Sequence, residues 1–284
     1  MKANAFLEML VESFFRWQAD KASRMAAALA YYAIFSIAPL LIIVIAITGF
    51  VFGEAAARGE MVAQMQNLVG AEAAAAIEAM IQNASRFRSG LTATLIGIVS
   101  LLFGASGVFT ELQSALDTIW EVTPKGSWRD MIKSRFFSFL MVLGIGILLL
   151  ASVVASTMLT ALASLLRALL PAFAYLHLLF NVLLPFVIIT LLFAVTYKTV
   201  PDMKIAWRDV WTGAAISSFL FTVAKLVLGI YLTHSRLGSA YGAAGSLMVL
   251  LFWVYFSAQI FLFGAEFTRV HANHFGSRGE SAQP

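Results

Sequence analysis

Cysteine is absent from all 284 residues, which excludes a disulfide, a thiolate metal site and a thiol nucleophile, and leaves redox chemistry silent about compartment. Charge is scarce too. Asp, Glu, Lys and Arg make up only 12% of the chain against 61% hydrophobic residues, a balance outside that of ordinary soluble domains. Histidine is limited to His177, His234, His271 and His274, whereas metal-assisted phosphodiester cleavage wants clustered imidazoles and carboxylates. The one close pair, in "HANH", has no carboxylate beside it in sequence, so no metal site is expected there. No Walker motif and no Ser-His-Asp set occurs, so neither ATP-driven pumping nor hydrolysis by this chain alone is expected, and no cofactor is implied.

What fills the chain instead is apolar sequence, with mean hydropathy +0.86. Crossing about 30 Å of hydrocarbon takes roughly 20 helical residues. Six runs have that length: 31–52, 90–110, 136–160, 176–197, 211–233 and 243–265. The third stays uncharged from Phe136 to Leu166, longer than one span needs, and is expected to tilt or to emerge as a helix. The expected fold is all-α, a polytopic membrane protein with six transmembrane helices. Counted over the flanking segments, 13 Lys and Arg fall on the side of both termini and 5 on the other, with Lys225 inside a span. By the positive-inside rule both termini are cytoplasmic. The net charge of +4 therefore reads as loops facing anionic lipid, not as a nucleic-acid surface.

Three outlying segments complete the organisation. Residues 1–30 carry Phe6, Leu10, Phe14 and Trp17 on one helical face and Glu8, Glu12, Arg16 and Asp20 on the other, the pattern of a cytoplasmic interfacial helix and not of a secretory signal peptide. The membrane domain is read as 31–268. Within it, the external loop 53–89 has one stripe of Met61, Met65 and Leu68 and another of Ile77, Met80 and Ile81, divided by Gly70, which predicts a two-helix cap. Residues 269–284 are read as a disordered cytoplasmic tail.

Three stretches, "AAALAYYAIFSIAPLL" (26–41), "ELQSALDTIW" (111–120) and the block from "AKLVLGIYLT" through "YGAAGSLMVLLFWVYFSAQIFLFGAEFT" (224–268), resemble the YihY/BrkB family of bacterial inner-membrane proteins, also called the virulence factor BrkB family. The resemblance covers most of the chain. It implies six helical spans in the cytoplasmic membrane, and brings associations with virulence and envelope lipids and an old ribonuclease label instead of a defined reaction. Two departures stand out: Asp117 where relatives often have Asn, and Thr222 where some carry an acid three residues before the lysine. The second removes an i, i+3 partner for Lys225.

Lys225 is the residue that most needs explaining, since a charge in hydrocarbon costs at least ~2.5 to 3.5 kcal/mol on insertion scales. It either snorkels outward along its stem, forms a structural pair, or presents a fixed positive charge to an anionic head group. Gln259, Tyr231 and Tyr241 join it as candidate substrate-binding residues, although a buried amide such as that of Gln259 commonly serves helix-to-helix hydrogen bonding. Pro39 and Pro185 free backbone carbonyls within spans, which shapes either a cavity or packing. Gly104 and Gly107 form a small-residue patch for close helix approach. Glu111 and Asp117 are expected where the second span emerges into water, and Glu266 is expected to pair with Arg269 three residues on. The leading expectation is translocation or handling of an anionic amphipathic envelope molecule, a lipid or lipid-linked precursor. The rival is a non-transporting scaffold for envelope assembly that engages protein partners; ribonuclease activity ranks last, and membrane lipids are the expected partners.

Overall fold

The computed structural model describes residues 3–52, 106–122, 173–203, 205–234 and 245–276, together with isolated positions between 58 and 82. Every regular element among the described residues is helical. The helices are α1 (Ala3–Ala19), α2 (Ala22–Phe52), α3 (106–119), α4 (Phe173–Thr199), α5 (Trp207–His234) and α6 (Gly245–His274). Two of them contain stretches long and apolar enough to cross a bilayer, Trp207–Tyr231 and Leu247–His274. The expected spans at 136–160 and most of 90–110 lie outside the described residues, as do Met61, Met65, Leu68, Gly70 and Met80 of the loop stripes. Ile77 and Ile81 are buried, as an inward-facing stripe requires.

The division between the interfacial helix and the first apolar run falls earlier than residue 30. Lys21 adopts φ 55°, a left-handed conformation that ends α1 as a C-terminal cap does, and its amide donates to the Gln18 carbonyl at 3.1 Å. The chain then restarts at Ala22 and continues through Pro39 to Phe52 as one helix of 31 residues, about 46 Å at 1.5 Å per residue. Residues 22–30 thus belong to the apolar helix. Ala22 and Ala26, with Leu29, pack into the main core, and Ala30 is buried as well.

At the other end, the expected disordered tail does not begin at residue 269. Helix α6 runs on to His274, and Phe267, Val270, His271 and Ala272 are all buried. The reason is tertiary: α1 lies across this segment and buries Met9 against Phe267 and Val270, with Phe6, Leu10 and Ile216 packed around them. An apolar face with a partner stays folded where a bare tail would fray.

Helices α5 and α6 form the antiparallel centre of the fold, with α4 against α5, and α1 and α2 against α6. Two glycines set the α5–α6 distance. A Cβ at Gly213 would lie 1.7 Å from Thr268 Oγ1, and one at Gly264 would lie 1.6 Å from Ser217 Oγ. Each glycine therefore receives a hydroxyl-bearing residue of the opposite helix, the close approach that small residues allow in membrane helix packing. The hydroxyls are satisfied on their own helices, Thr268 by the Gly264 carbonyl and Ser217 by the Gly213 carbonyl, both at 2.7 Å. From α4, fully buried Tyr197 completes the seam: its Oη donates to the Phe261 carbonyl at 2.6 Å and lies 2.9 Å from Ser217 Oγ.

Candidate functional site

A groove of about 390 Å³ opens where α1 crosses α5 and α6. Phe14 and Trp17 form its α1 wall, Val223, Ala224 and Val227 its α5 wall, and Phe256, Ile260 and Phe263 line it from α6. The only amide in this apolar lining is that of Gln259. The α1 wall is stiffened by stacking of Phe14 on Trp17, with centroids 5.9 Å apart. Lys225 follows directly on the groove-lining Val223 and Ala224 and is half buried on α5. Thr222, where an acid would have stood, turns its hydroxyl back to the Ser218 carbonyl at 2.8 Å. Tyr231 sits one and a half turns beyond Lys225, exposed and stacked on Phe252 of α6 at 5.9 Å.

The remaining sequence candidates do not gather at this groove. Pro185 is inside α4, and Gly107 serves contact with α2, since a Cβ there would meet the Tyr32 ring at 2.3 Å. Tyr241 and Gly104 lie outside the described residues, and so does the side chain of Pro39.

Glu266 and Arg269 instead lie near the C-terminal end of α6, and Arg269 reaches the end of α3, the helix that carries Asp117. Asp117 is buried, not emerging into water, and accepts the Asp202 backbone N–H at 2.9 Å. Burial pushes its carboxyl above the usual range; the bond from Asp202 offsets part of this, while the Asp202 charge adds to it. Glu111, two turns earlier on α3, is partly exposed. Helix α3 closes with Glu121 at φ 53°: the Glu121 amide donates to Thr118 and that of Val122 to Asp117, the paired bonds of a Schellman cap. Arg269 completes that cap. Its guanidinium bonds the Ile119 carbonyl and pairs with Glu121, a cation at a helix C-terminus where carbonyls lack partners. The expected i, i+3 pair with Glu266 does not form; both Glu266 oxygens are buried and have no hydrogen-bond donor among the described residues.

The "HANH" pair also has carboxylates that linear sequence could not show. His274 Nε2 lies 2.8 Å from Glu12 of α1, and Asp209 of α5 faces His271. Burial opposes charge on Glu12, but hydrogen bonds from His274 and Arg16 outweigh it and hold the carboxyl below its usual range. No group of three His, Cys, Asp or Glu suited to a metal occurs among the described residues.

A family profile for virulence factor BrkB matches residues 13–284. The chain belongs to the virulence factor BrkB family. It is similar to a UPF0761 membrane protein of Pseudoalteromonas atlantica, at 29% identity over 95% of this chain and 86% of the relative. Another, from Tolumonas auensis, is 28% identical over 88% of this chain and 80% of its own length. One from Alteromonas mediterranea reaches 33% identity over 61% of this chain and 57% of the relative. No solved structure matches.

The BrkB family is one of membrane proteins and not a recognised enzyme family. For such a protein the outer face of α5 makes physical sense: Phe219, Leu226 and Ile230 form one exposed apolar stripe, next to the groove-lining Val223 and Val227. In water this patch would be an association hazard. In hydrocarbon it is in its own solvent.

Proposed function

We propose that this BrkB-family protein handles or translocates an anionic amphipathic envelope molecule, a lipid or lipid-linked precursor, in the bacterial inner membrane. The observation that carries this reading is the groove between α1, α5 and α6, apolar apart from Gln259, on the helix that holds half-buried Lys225. Its walls suit acyl chains. Gln259 offers one hydrogen-bonding group, and the Lys225 ammonium an attraction for a phosphate or carboxylate head group. The scaffold alternative draws on a different surface, the outward side of α1, where Leu7, Val11 and Phe15 are exposed.

Because the chain contains no cysteine, a photoreactive group can be placed at one position through Val227→Cys in the groove, or through Ile230→Cys on the outer stripe. In bilayers mixing anionic and zwitterionic phospholipid, Val227→Cys should label the anionic lipid in preference, and Ile230→Cys should follow bulk composition. Equal preference at the two positions would remove the groove as a lipid site.

The membrane arrangement belongs to the same proposal: six spans, with both termini cytoplasmic. Reporter fusions after residues 75 and 238 should then read as external, and fusions after 127, 205 and 280 as cytoplasmic. A cytoplasmic signal from position 75 would overturn this topology.

A further inference from the structure

Glu266 has no exposed surface, and among the described residues neither of its carboxylate oxygens has a hydrogen-bond donor. Burying an ionised carboxylate in that condition is among the costliest things a fold can do. A second acid, Asp20, at the break between α1 and α2, lies close enough to interact with it directly. Two ionised carboxylates both accept and neither donates. Contact between them becomes a hydrogen bond only when one of them carries a proton, and like charges so close disfavour ionisation of both.

The surrounding cations do not dissolve this problem. Arg16 of α1 and Arg269 of α6 are near enough to act on Glu266 through space. Yet Arg16 is bonded to Glu12 at 2.9 Å, and Arg269 to Ile119 and Glu121. From α5, Arg208 and Asp209 face His271. Asp20 stands immediately before the left-handed turn at Lys21, φ 55°, through which α1 passes into α2.

We propose that Glu266 and Asp20 form a proton-binding site, in which a Glu266 carboxyl O–H donates to the Asp20 carboxylate and holds the α1–α2 corner down on α6. Release of that proton to water breaks the O–H bond and leaves two facing carboxylates, whose repulsion lifts the corner; uptake of a proton reverses both changes. This goes beyond lipid handling and does not depend on it. It does place a proton in control of the helix that supplies Phe14 and Trp17 to the groove.

The test uses the full chain in nanodiscs, with spin labels at Gln18→Cys on α1 and Thr199→Cys at the end of α4, both exposed positions. Over about pH 6 to 10, a range in which a buried carboxyl can give up its proton, the docked distance should lose at least half of its population. In Glu266→Gln the amide donates without a titratable proton, so the docked distance should persist throughout. Asp20→Asn should do the same from the other side. His274 and Glu12 are unchanged in both variants, so their own titration cancels in the comparison. Infrared difference spectra between wild type and Glu266→Gln at about pH 6, below the release range of such a carboxyl, should show one carboxylic C=O band that the variant lacks. A pH profile shared by wild type and both variants, or a wild type without that band, would overturn the proposal.

Discussion

Gly264→Ala is expected to lower the thermal stability of the purified protein clearly, and Gly264→Leu to prevent accumulation of folded protein in the membrane. The alanine Cβ would stand 1.6 Å from Ser217 Oγ, 2.8 Å from Ser217 Cβ and 2.7 Å from Tyr197 Oη, so two buried side chains would have to shift. Overpacking of this kind costs about 1–3 kcal/mol for small additions, and here it also threatens the Tyr197 bond to the Phe261 carbonyl. Leucine adds far more volume in the same place and should part α5 from α6. Combining Gly264→Ala with Ser217→Gly removes both Ser217 contacts and should recover much of the loss, an interaction between sites that a double-mutant cycle measures. Wild-type stability of Gly264→Ala would mean that the two helices are further apart than described.

Lys225→Met separates charge from shape. Methionine keeps an unbranched chain but removes the ammonium, and with it the ~2.5 to 3.5 kcal/mol that a charge costs on insertion scales. A lysine that merely snorkels gives a variant that inserts as well as wild type or better and works normally. If Lys225 receives an anionic head group, the variant folds but moves labelled anionic lipid in proteoliposomes at least about tenfold more slowly, a loss worth about 1.4 kcal/mol. Lys225→Arg keeps the charge in a larger planar group and should retain part of the activity. Complementation of an envelope-defect strain provides the cellular readout. Full transport by Lys225→Met at normal membrane levels would end the head-group role.

Helix positions were largely legible in the sequence, because a bilayer demands uninterrupted apolar length. The runs at 176–197 and 211–233 sit inside α4 and α5, and 243–265 coincides with all but the last two and a half turns of α6. Those extra turns were illegible for a specific reason. Residues 266–274 contain Glu266, Arg269, His271 and His274, which read as water-facing until α1 is known to cover them. Periodicity names the faces of a helix but not their neighbours. Thus the apolar α1 face read as interfacial packs on α6 at Phe6 and Leu10, while the buried centre is Met9 and Ser13, and Phe14 is exposed. Pairs such as Glu12 with His274, 262 residues apart, or Arg269 with the end of α3, exist only in three dimensions. Gly213 and Gly264 were missed where Gly104 and Gly107 were chosen. A sharper signal was present, in that each has a small hydroxyl residue four positions on, Ser217 and Thr268.

The glycine-hydroxyl seam also governs what can move. To slide one turn along α6, α5 would have to drag Ser217 out of the notch at Gly264 and carry its neighbours over larger side chains, with Thr268 leaving Gly213 in the same motion. The pair is therefore a ratchet with both pawls engaged, and it travels as one rigid spar. Helix α1 rests on α6 through Met9, Phe6 and Leu10 and passes into α2 through the turn at Lys21. A swing of α1 about that turn, on the microsecond-to-millisecond scale of collective helix motions, would open the groove without parting α5 from α6.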